Sequence, residues 1–247
     1  MANFEIGRVF GNSFAVLTRN APLYLGLAAV MAGVPALLMN FLGFGGMNLS
    51  ALRGAPYGAM PNYAGLFGGG LISFICAALL QAALVRATIE DLSGKTPVFA
   101  DCLQTALTML FPVIAITILV SIGATLGLIL LIVPGIVLWL GWSVAVPILV
   151  HERLGVFGSM SRSRRLTKGS RWSLFGLYII LIIAVWVIQG VFGVLMFTTG
   201  GLVGPFMAAI GSTIVAAIMA TATAASYIEL RTAKEGVSVE TLAEIFS

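Results

Sequence analysis

Five basic side chains lie close together in the second half of the chain and offer the clearest binding chemistry in the sequence. They are Arg162, Arg164, Arg165, Lys168 and Arg171. Arginine presents a planar fork of N–H donors that matches phosphate oxygens, so this segment is a candidate contact for anionic phospholipid headgroups. The plainer interpretation is that the segment only follows the tendency of basic loops to remain in the cytoplasm.

Fragments that resemble catalytic motifs are incomplete. Gly94–Thr96 resembles the end of a phosphate-binding loop, but that motif requires a glycine at the position of Ile89. His151 and Glu152 resemble the start of a zinc-protease helix, but the second histidine is absent. With 1 His and 2 Cys in the chain, a His/Cys metal site has too few ligands. We therefore expect no enzymatic activity, no metal and no cofactor.

The elements that must position these residues are apolar. The chain is 60% hydrophobic and 9% charged, whereas soluble domains carry about 25% charged residues. Residues 102–150 and 172–228 contain no Asp, Glu, Lys or Arg. Because about 20 apolar residues cross a bilayer as a helix, each run must fold back as a hairpin.

The predicted fold is all-α: a polytopic six-helix transmembrane bundle that forms a single integral membrane domain over residues 1–247. The predicted spans are residues 21–43, 66–87, 104–130, 134–150, 173–197 and 204–228. The turns between the third and fourth and between the fifth and sixth spans are predicted at Val133–Gly135 and Thr199–Gly201, where Pro or Gly lets the chain reverse.

The distribution of basic residues predicts the orientation. Every Lys and Arg except Arg53 falls on one side of the predicted spans. Because Lys and Arg resist translocation, both termini are predicted to be cytoplasmic. The net charge of +4 then reflects a basic surface that faces anionic headgroups, and nucleic-acid binding is not expected. The outer loop, roughly residues 43–65, is either a lid or a slack connection.

A short pattern recurs before each predicted pair of spans, at Val9–Gly11, Val98–Ala100 and Val156–Gly158. It suggests a unit of one amphipathic cytoplasmic interfacial helix and one transmembrane hairpin, used three times. The first interfacial helix is predicted over residues 4–19. In the cytoplasmic tail, residues 229–247, a short apolar helix at residues 238–246 would suit the membrane surface or a partner's groove.

The sixth predicted span carries small residues at every fourth position. They are Ala208, Ser212, Ala216, Ala220 and Ala224. Small side chains let helices approach closely in lipid, so this span is predicted to pack tightly on a neighbour. Cys76 and Cys102 are predicted to be packing residues and not a disulfide.

Polar groups and prolines inside the spans are few. The strongest polar groups are the amides of Asn40, Gln81 and Gln189, for which an interhelical hydrogen bond is the first expectation. Ion-coupled transporters usually place charged residues near the middle of their spans; here the one charged residue within the predicted bounds is Arg86, at the end of the second span. Pro35, Pro112 and Pro147 lie in or near the spans and are predicted to kink their helices.

Two stretches, Pro147–Gly155 and Ser161–Trp172, resemble the signature of a bacterial inner-membrane family. Its members are the glycerophosphoryl diester phosphodiesterase membrane domain proteins, with the YciC-like proteins as relatives. The stretches Tyr227–Arg231, Lys234–Gly236 and Leu242–Phe246 are similar to the family's ending. The resemblance implies a six-helix protein of the bacterial inner (plasma) membrane, with a link to phospholipid metabolism in relatives that carry a fused phosphodiesterase domain. It transfers no catalytic residue to this chain.

Three functional hypotheses follow from the sequence. The leading one is a non-enzymatic multi-pass inner-membrane protein that contacts the lipid bilayer and its anionic phospholipids or supports envelope integrity. The second is a permease or export component for a hydrophobic or uncharged solute, which a polar cavity between the helices would favour. The third is a scaffold that recruits a cytoplasmic partner. A homo-oligomer and a membrane-protein partner are compatible with all three.

Overall fold

A computed structural model describes residues 4–41, 63–199, 201 and 203–236. All regular structure in these residues is helical, and 6 segments are long and apolar enough to cross a membrane. The predicted all-α fold with six apolar spans is confirmed. Arg53, the outer loop before Tyr63 and the tail helix predicted at residues 238–246 lie outside the described residues, so the predictions about them stay open.

The helices have the following bounds in chain order, with a π-helical turn (Ala29–Gly33) between α2 and α3. They are α1 (Ile6–Arg19), α2 (Ala21–Ala28), α3 (Val34–Phe41), α4 (Tyr63–Leu92), α5 (Phe99–Thr108), α6 (Leu110–Leu130), α7 (Ile132–Trp142), α8 (Ala145–Glu152), α9 (Gly155–Thr167), α10 (Arg171–Thr199) and α11 (Val203–Glu235).

A short helix precedes each pair of long segments: α1, α5 and α9 occupy these places in the described chain. Their order matches the predicted unit, while the duplication itself stays a prediction. On α1, Val9, Ser13 and Val16 are buried against the bundle, whereas Phe14 is 60% exposed. Helix α1 therefore has one face on protein and an apolar flank available to lipid.

Two predicted spans are interrupted. The third was expected to begin at residue 104, but Met109 has a non-helical backbone (φ −96°, ψ 5°) and separates α5 from α6. Pro112 explains this, because its ring lacks an N–H and clashes with the carbonyl four residues earlier. The fourth is broken at Ser143 and Val144 between α7 and α8, where Pro147 has the same effect on the Ser143 carbonyl.

The hairpin between α6 and α7 is tighter than predicted. Leu131 alone is non-helical there (φ −160°, ψ 134°), so the turn lies before the expected Val133–Gly135. Gly135 faces the backbone of Leu128 so closely that a Cβ atom would lie 2.5 Å from the Leu128 nitrogen. Glycine at position 135 is what lets the two helices approach to backbone contact.

Ion pairs join separate helices at one end of the bundle, which we call the basic end; it is formed by α1, α5, α9 and the last turns of α4, α8 and α11. Arg8 Nε lies 3.4 Å from Glu229 Oε1, and Arg19 Nη1 lies 3.5 Å from Asp91 Oδ2. Both carboxylates are almost fully buried. These pairs fasten α1 to α11 and to α4, so they fix the end of the molecule that the sequence predicts to face the cytoplasm.

Candidate functional site

Two cavities inside the bundle meet at Gln81 of α4 and Thr223 of α11, which line both of them. The first, about 410 Å³, lies between the α2–α3 segment, α4 and α11. The second, about 250 Å³, is enclosed by residues of α4, α6, α7, α8, α10 and α11. We call the two together the polar chamber.

The lining of the chamber is uncharged; it is mostly apolar in the first cavity and about half polar in the second. Its second cavity is lined by the hydroxyls of Thr117, Ser121, Ser143, Tyr178 and Thr223 and by the rings of Trp139 and Trp142. The centroids of the Trp139 and Tyr178 rings are 4.8 Å apart. None of the described residues that line either cavity is charged. The chamber therefore offers hydrogen bonds and aromatic surface without a net charge.

Polar groups with unused hydrogen-bonding capacity remain in and beside the chamber. The hydroxyls of Thr117 and Thr223 donate to Val113 and Met219 of their own helices, so they present acceptor lone pairs to the cavity. The buried Trp142 Nε1 has no hydrogen-bond partner among the described residues. The Gln81 amide likewise bonds to no described side chain or backbone group, contrary to the interhelical bond expected from the sequence. Two unused donor groups thus remain in an otherwise apolar bundle.

Irregular backbone in the first and fourth spans forms part of the chamber wall. The first cavity is lined by Met31 and Ala32 of the π turn and by Pro35 of α3. Ser143, at the break between α7 and α8, lines the second. Irregular backbone at membrane depth is tolerated where it lines a cavity or is buried in protein, and π turns often occur at functional sites.

Helix α9 supports the break between α7 and α8. The Gly141 carbonyl accepts a hydrogen bond from Ser163 Oγ at 2.8 Å and a longer one from Thr167 Oγ1 at 3.5 Å. Both hydroxyl residues are fully buried. Side chains of a helix outside the spans thus satisfy a carbonyl that the broken helix leaves unbonded.

The five basic residues predicted to bind lipid do not form one surface. Arg164, Arg165 and Lys168 are exposed, whereas Arg171 is half-buried and its Nε atom has no partner among the described residues. Arg162 is 22% exposed and paired with Glu152 and Glu235. Burial opposes the charge of Arg162, but the carboxylates of Glu235 and Glu152 outweigh burial and raise its pKa above the usual value. Arg162 therefore belongs to an internal network.

That network also joins α8, α9 and α11. Tyr227 donates its hydroxyl to Glu152 Oε1 at 2.9 Å, and Arg231 pairs with Glu235 and lies 3.1 Å from His151 Nε2. His151 lies in the last turn of α8, where it contacts this second arginine. The sequence did not indicate this network, because its members are far apart along the chain.

The small residues predicted to pack in the sixth span are buried to different depths. Ala220 and Ala224 are buried, whereas Ala208, Ser212 and Ala216 are only half-buried. In the first half of α11, the most deeply buried stripe lies one residue after the predicted one. It consists of Ala209, Thr213 and Ala217. Helix α11 packs against α10, α4 and α1, and residues 220–230 are buried without a break.

Cys76 and Cys102 are free thiols. Cys102 is fully buried in α5, and this burial is the main reason why the pKa of its thiol rises to about 11. The thiol is therefore protonated at neutral pH and behaves as a small packing residue. Among the described residues, no group of three or more His, Cys, Asp or Glu side chains is arranged to hold a metal ion.

Side chains from most of the spans thus converge around the cavities of the polar chamber. Comparison of the chain with models of protein families, with curated proteins and with solved structures finds no match.

Proposed function

We propose that this protein is a non-enzymatic multi-pass membrane protein that binds an uncharged polar solute in the polar chamber and helps it to cross the membrane. The observation that carries the proposal is the meeting, at Gln81 and Thr223, of an uncharged and largely apolar cavity with an uncharged cavity lined by hydroxyls, each bounded by irregular helical backbone. We expect the membrane to be the bacterial inner membrane and the basic end to face the cytoplasm.

The chemistry of the wall supports an uncharged solute such as a polyol. Acceptor oxygens and the Gln81 amide suit a ligand that carries several hydroxyls, and aromatic rings suit its C–H faces. A solute with a full charge would be buried there without a counter-ion, which is costly. Cavities of about 250 and 410 Å³ suit a small molecule.

Replacing Gln81 by leucine should slow solute entry by about tenfold, because a buried hydrogen bond is worth on the order of 1–2 kcal/mol. The measurement is the swelling rate of proteoliposomes in glycerol, erythritol or urea. Gln189→Leu is the matched control, because Gln189 has the same side chain but points away from the bundle. Equal rates in wild type and Gln81→Leu, or rates no higher than in protein-free liposomes for all three solutes, would contradict the proposal.

Tryptophan fluorescence offers a binding assay that does not depend on transport. The chain has 4 tryptophans; Trp172 and Trp186 are exposed, whereas Trp139 and Trp142 line the chamber. Replacing the two exposed residues by phenylalanine leaves reporters only in the chamber, where a bound solute would change the emission.

A second candidate function is contact with anionic lipid at the exposed face of α9. Its specific support is the exposure of Arg164, Arg165 and Lys168 beside Phe157, which is 77% exposed. The resemblance of this region to a family linked to phospholipid metabolism points the same way.

Reversing these three charges with glutamate should reduce the phosphatidylglycerol that copurifies with the protein by about a hundredfold, since each basic residue near an anionic surface contributes about 1 kcal/mol and about 1.4 kcal/mol corresponds to tenfold. Arg162 is left unchanged, because its loss would disturb the internal network. The double variant Arg164→Lys and Arg165→Lys, which keeps the charge, is the control. Unchanged lipid content in the glutamate variant would rule out this contact.

A further inference from the structure

A third cavity, about 330 Å³, opens at the basic end between α4, α5 and the end of α8. We infer that it binds a phosphate group, carried either by a phospholipid headgroup or by a soluble phosphate compound. We call it the basic pocket; the side chains that the inference uses are Arg86, Glu90, Lys95, His151 and Arg153. The inference does not depend on the proposed transport function.

Charge favours an anion in the basic pocket. Arg86, Lys95 and Arg153 contribute three cations, whereas Glu90 is the one carboxylate among the described lining residues. Arg86 Nε donates to Glu90 Oε1 at 2.8 Å, and its Nη1 donates to Thr105 of α5. These two bonds hold the Arg86 guanidinium in place, and the pocket keeps an excess of positive charge.

His151 adds a donor at the edge of the pocket. Arginine can only donate, so the contact of 3.1 Å between Arg231 Nη1 and His151 Nε2 makes Nε2 the acceptor. The ring proton then lies on Nδ1, which is a donor. Donors on guanidinium, ammonium and imidazole groups match the several oxygens of a phosphate better than the two of a carboxylate.

Arg153 has an unusual backbone conformation. Its φ of 51° and ψ of 34° are left-handed, and it is the one residue other than glycine with positive φ in the described part of the chain. This region favours glycine and is costly for residues with a side chain. Arg153 is exposed and forms no ion pair with a described carboxylate. A strained position that keeps an arginine at the rim of a cationic cavity is typical of a ligand contact.

The surroundings of the pocket admit either source of phosphate. Helix α5 contributes Thr105 to the pocket, and it exposes Phe99, Leu107 and the Val98 that precedes it. Acyl chains can therefore lie beside a headgroup bound in the pocket. The cavity also opens at the basic end, where a soluble phosphate can enter. The pocket lies beyond the polar chamber along α4 and α8. Gln81 and Val146 of these helices line the chamber, and Arg86 and Val150 line the pocket.

The test compares Arg153→Gly and Arg86→Gln with wild type, using the full chain in nanodiscs. Arg153→Gly removes a cation while relieving the left-handed backbone, so it should fold at least as stably as wild type. Lys234→Ala is the control, because it removes an exposed cation that lies outside the pocket and outside the exposed face of α9. One arm titrates inorganic phosphate by calorimetry in phosphatidylcholine nanodiscs. The other measures retained phosphatidylglycerol by native mass spectrometry in mixed nanodiscs.

We expect the wild type and Lys234→Ala to bind at least one probe, and both pocket variants to bind it about tenfold more weakly. Binding of inorganic phosphate identifies a soluble ligand, and retention of phosphatidylglycerol alone identifies a lipid headgroup; either result supports the site. The inference is overturned if neither probe binds the wild type, or if Arg153→Gly and Arg86→Gln bind as tightly as Lys234→Ala.

Discussion

Replacing Gly135 by alanine should push α6 and α7 apart and lower the free energy of unfolding by roughly 1–3 kcal/mol or more. A Cβ atom at position 135 would lie 2.5 Å from the backbone nitrogen of Leu128 and 2.7 Å from its Cα. These are backbone atoms of a helix, so they cannot turn aside as the end of a flexible side chain can. The measurement is thermal unfolding of the purified protein in one fixed detergent.

Gly193→Ala is the matched control for that substitution. Gly193 also lies inside a long helix, but a Cβ atom there would have no heavy atom within 4 Å. Alanine is the better helix former, so this variant should be unchanged or more stable by about 0.5–1 kcal/mol. Similar unfolding temperatures for the two variants would mean that α6 and α7 are not packed backbone to backbone.

Replacing Arg162 by alanine should have the second large effect on stability. Glu152 is 16% exposed and would keep only the Tyr227 hydroxyl as a partner, and Glu235 would lose one of its two cations. Removing one member of a buried ion pair typically costs 3–5 kcal/mol. We expect about 2 kcal/mol, because the Arg162 side chain is partly exposed to solvent.

The control for Arg162→Ala is Arg165→Ala on the same helix. Arg165 is exposed, so its removal should change the unfolding temperature little. A double variant, Arg162→Ala with Glu152→Gln, should recover part of the lost stability, because the uncompensated charge is removed with its partner. Equal losses in the two single arginine variants would contradict the internal role of Arg162.

The spans were predictable from the sequence because hydrophobicity along the chain reports burial in lipid directly. Their interruptions were only partly predictable: Pro35, Pro112 and Pro147 each indicated a kink. The sequence did not show that Met109 would leave the helix completely or that the chain would break at Ser143 and Val144. How far a helix opens at a proline depends on which neighbouring groups satisfy the freed carbonyls.

The polar chamber was not predictable, because it depends on which helices are neighbours. Gln81 and Thr223 lie far apart along the chain, and a single sequence does not report that they line the same cavities. Thr117 and Ser121 did carry a usable signal: they are one helical turn apart and so share a face of a very apolar helix. The sequence likewise did not show which members of the small-residue stripe would be most buried: Ala220 and Ala224 are, but in the first half of α11 the neighbouring Ala209, Thr213 and Ala217 are more buried.

The ion pairs that join separate helices at the basic end have a mechanical consequence. There, Arg8, Arg19 and Arg162 connect different helices, whereas near the other end Ile129 and Phe197 are 75% and 92% exposed. The stiffness of the bundle therefore decreases along the membrane normal, away from these pairs. A thinner or thicker bilayer would be accommodated by tilting and splaying of the loosely held ends, so lipid chain length should alter the width of the opposite end before it disturbs the basic one.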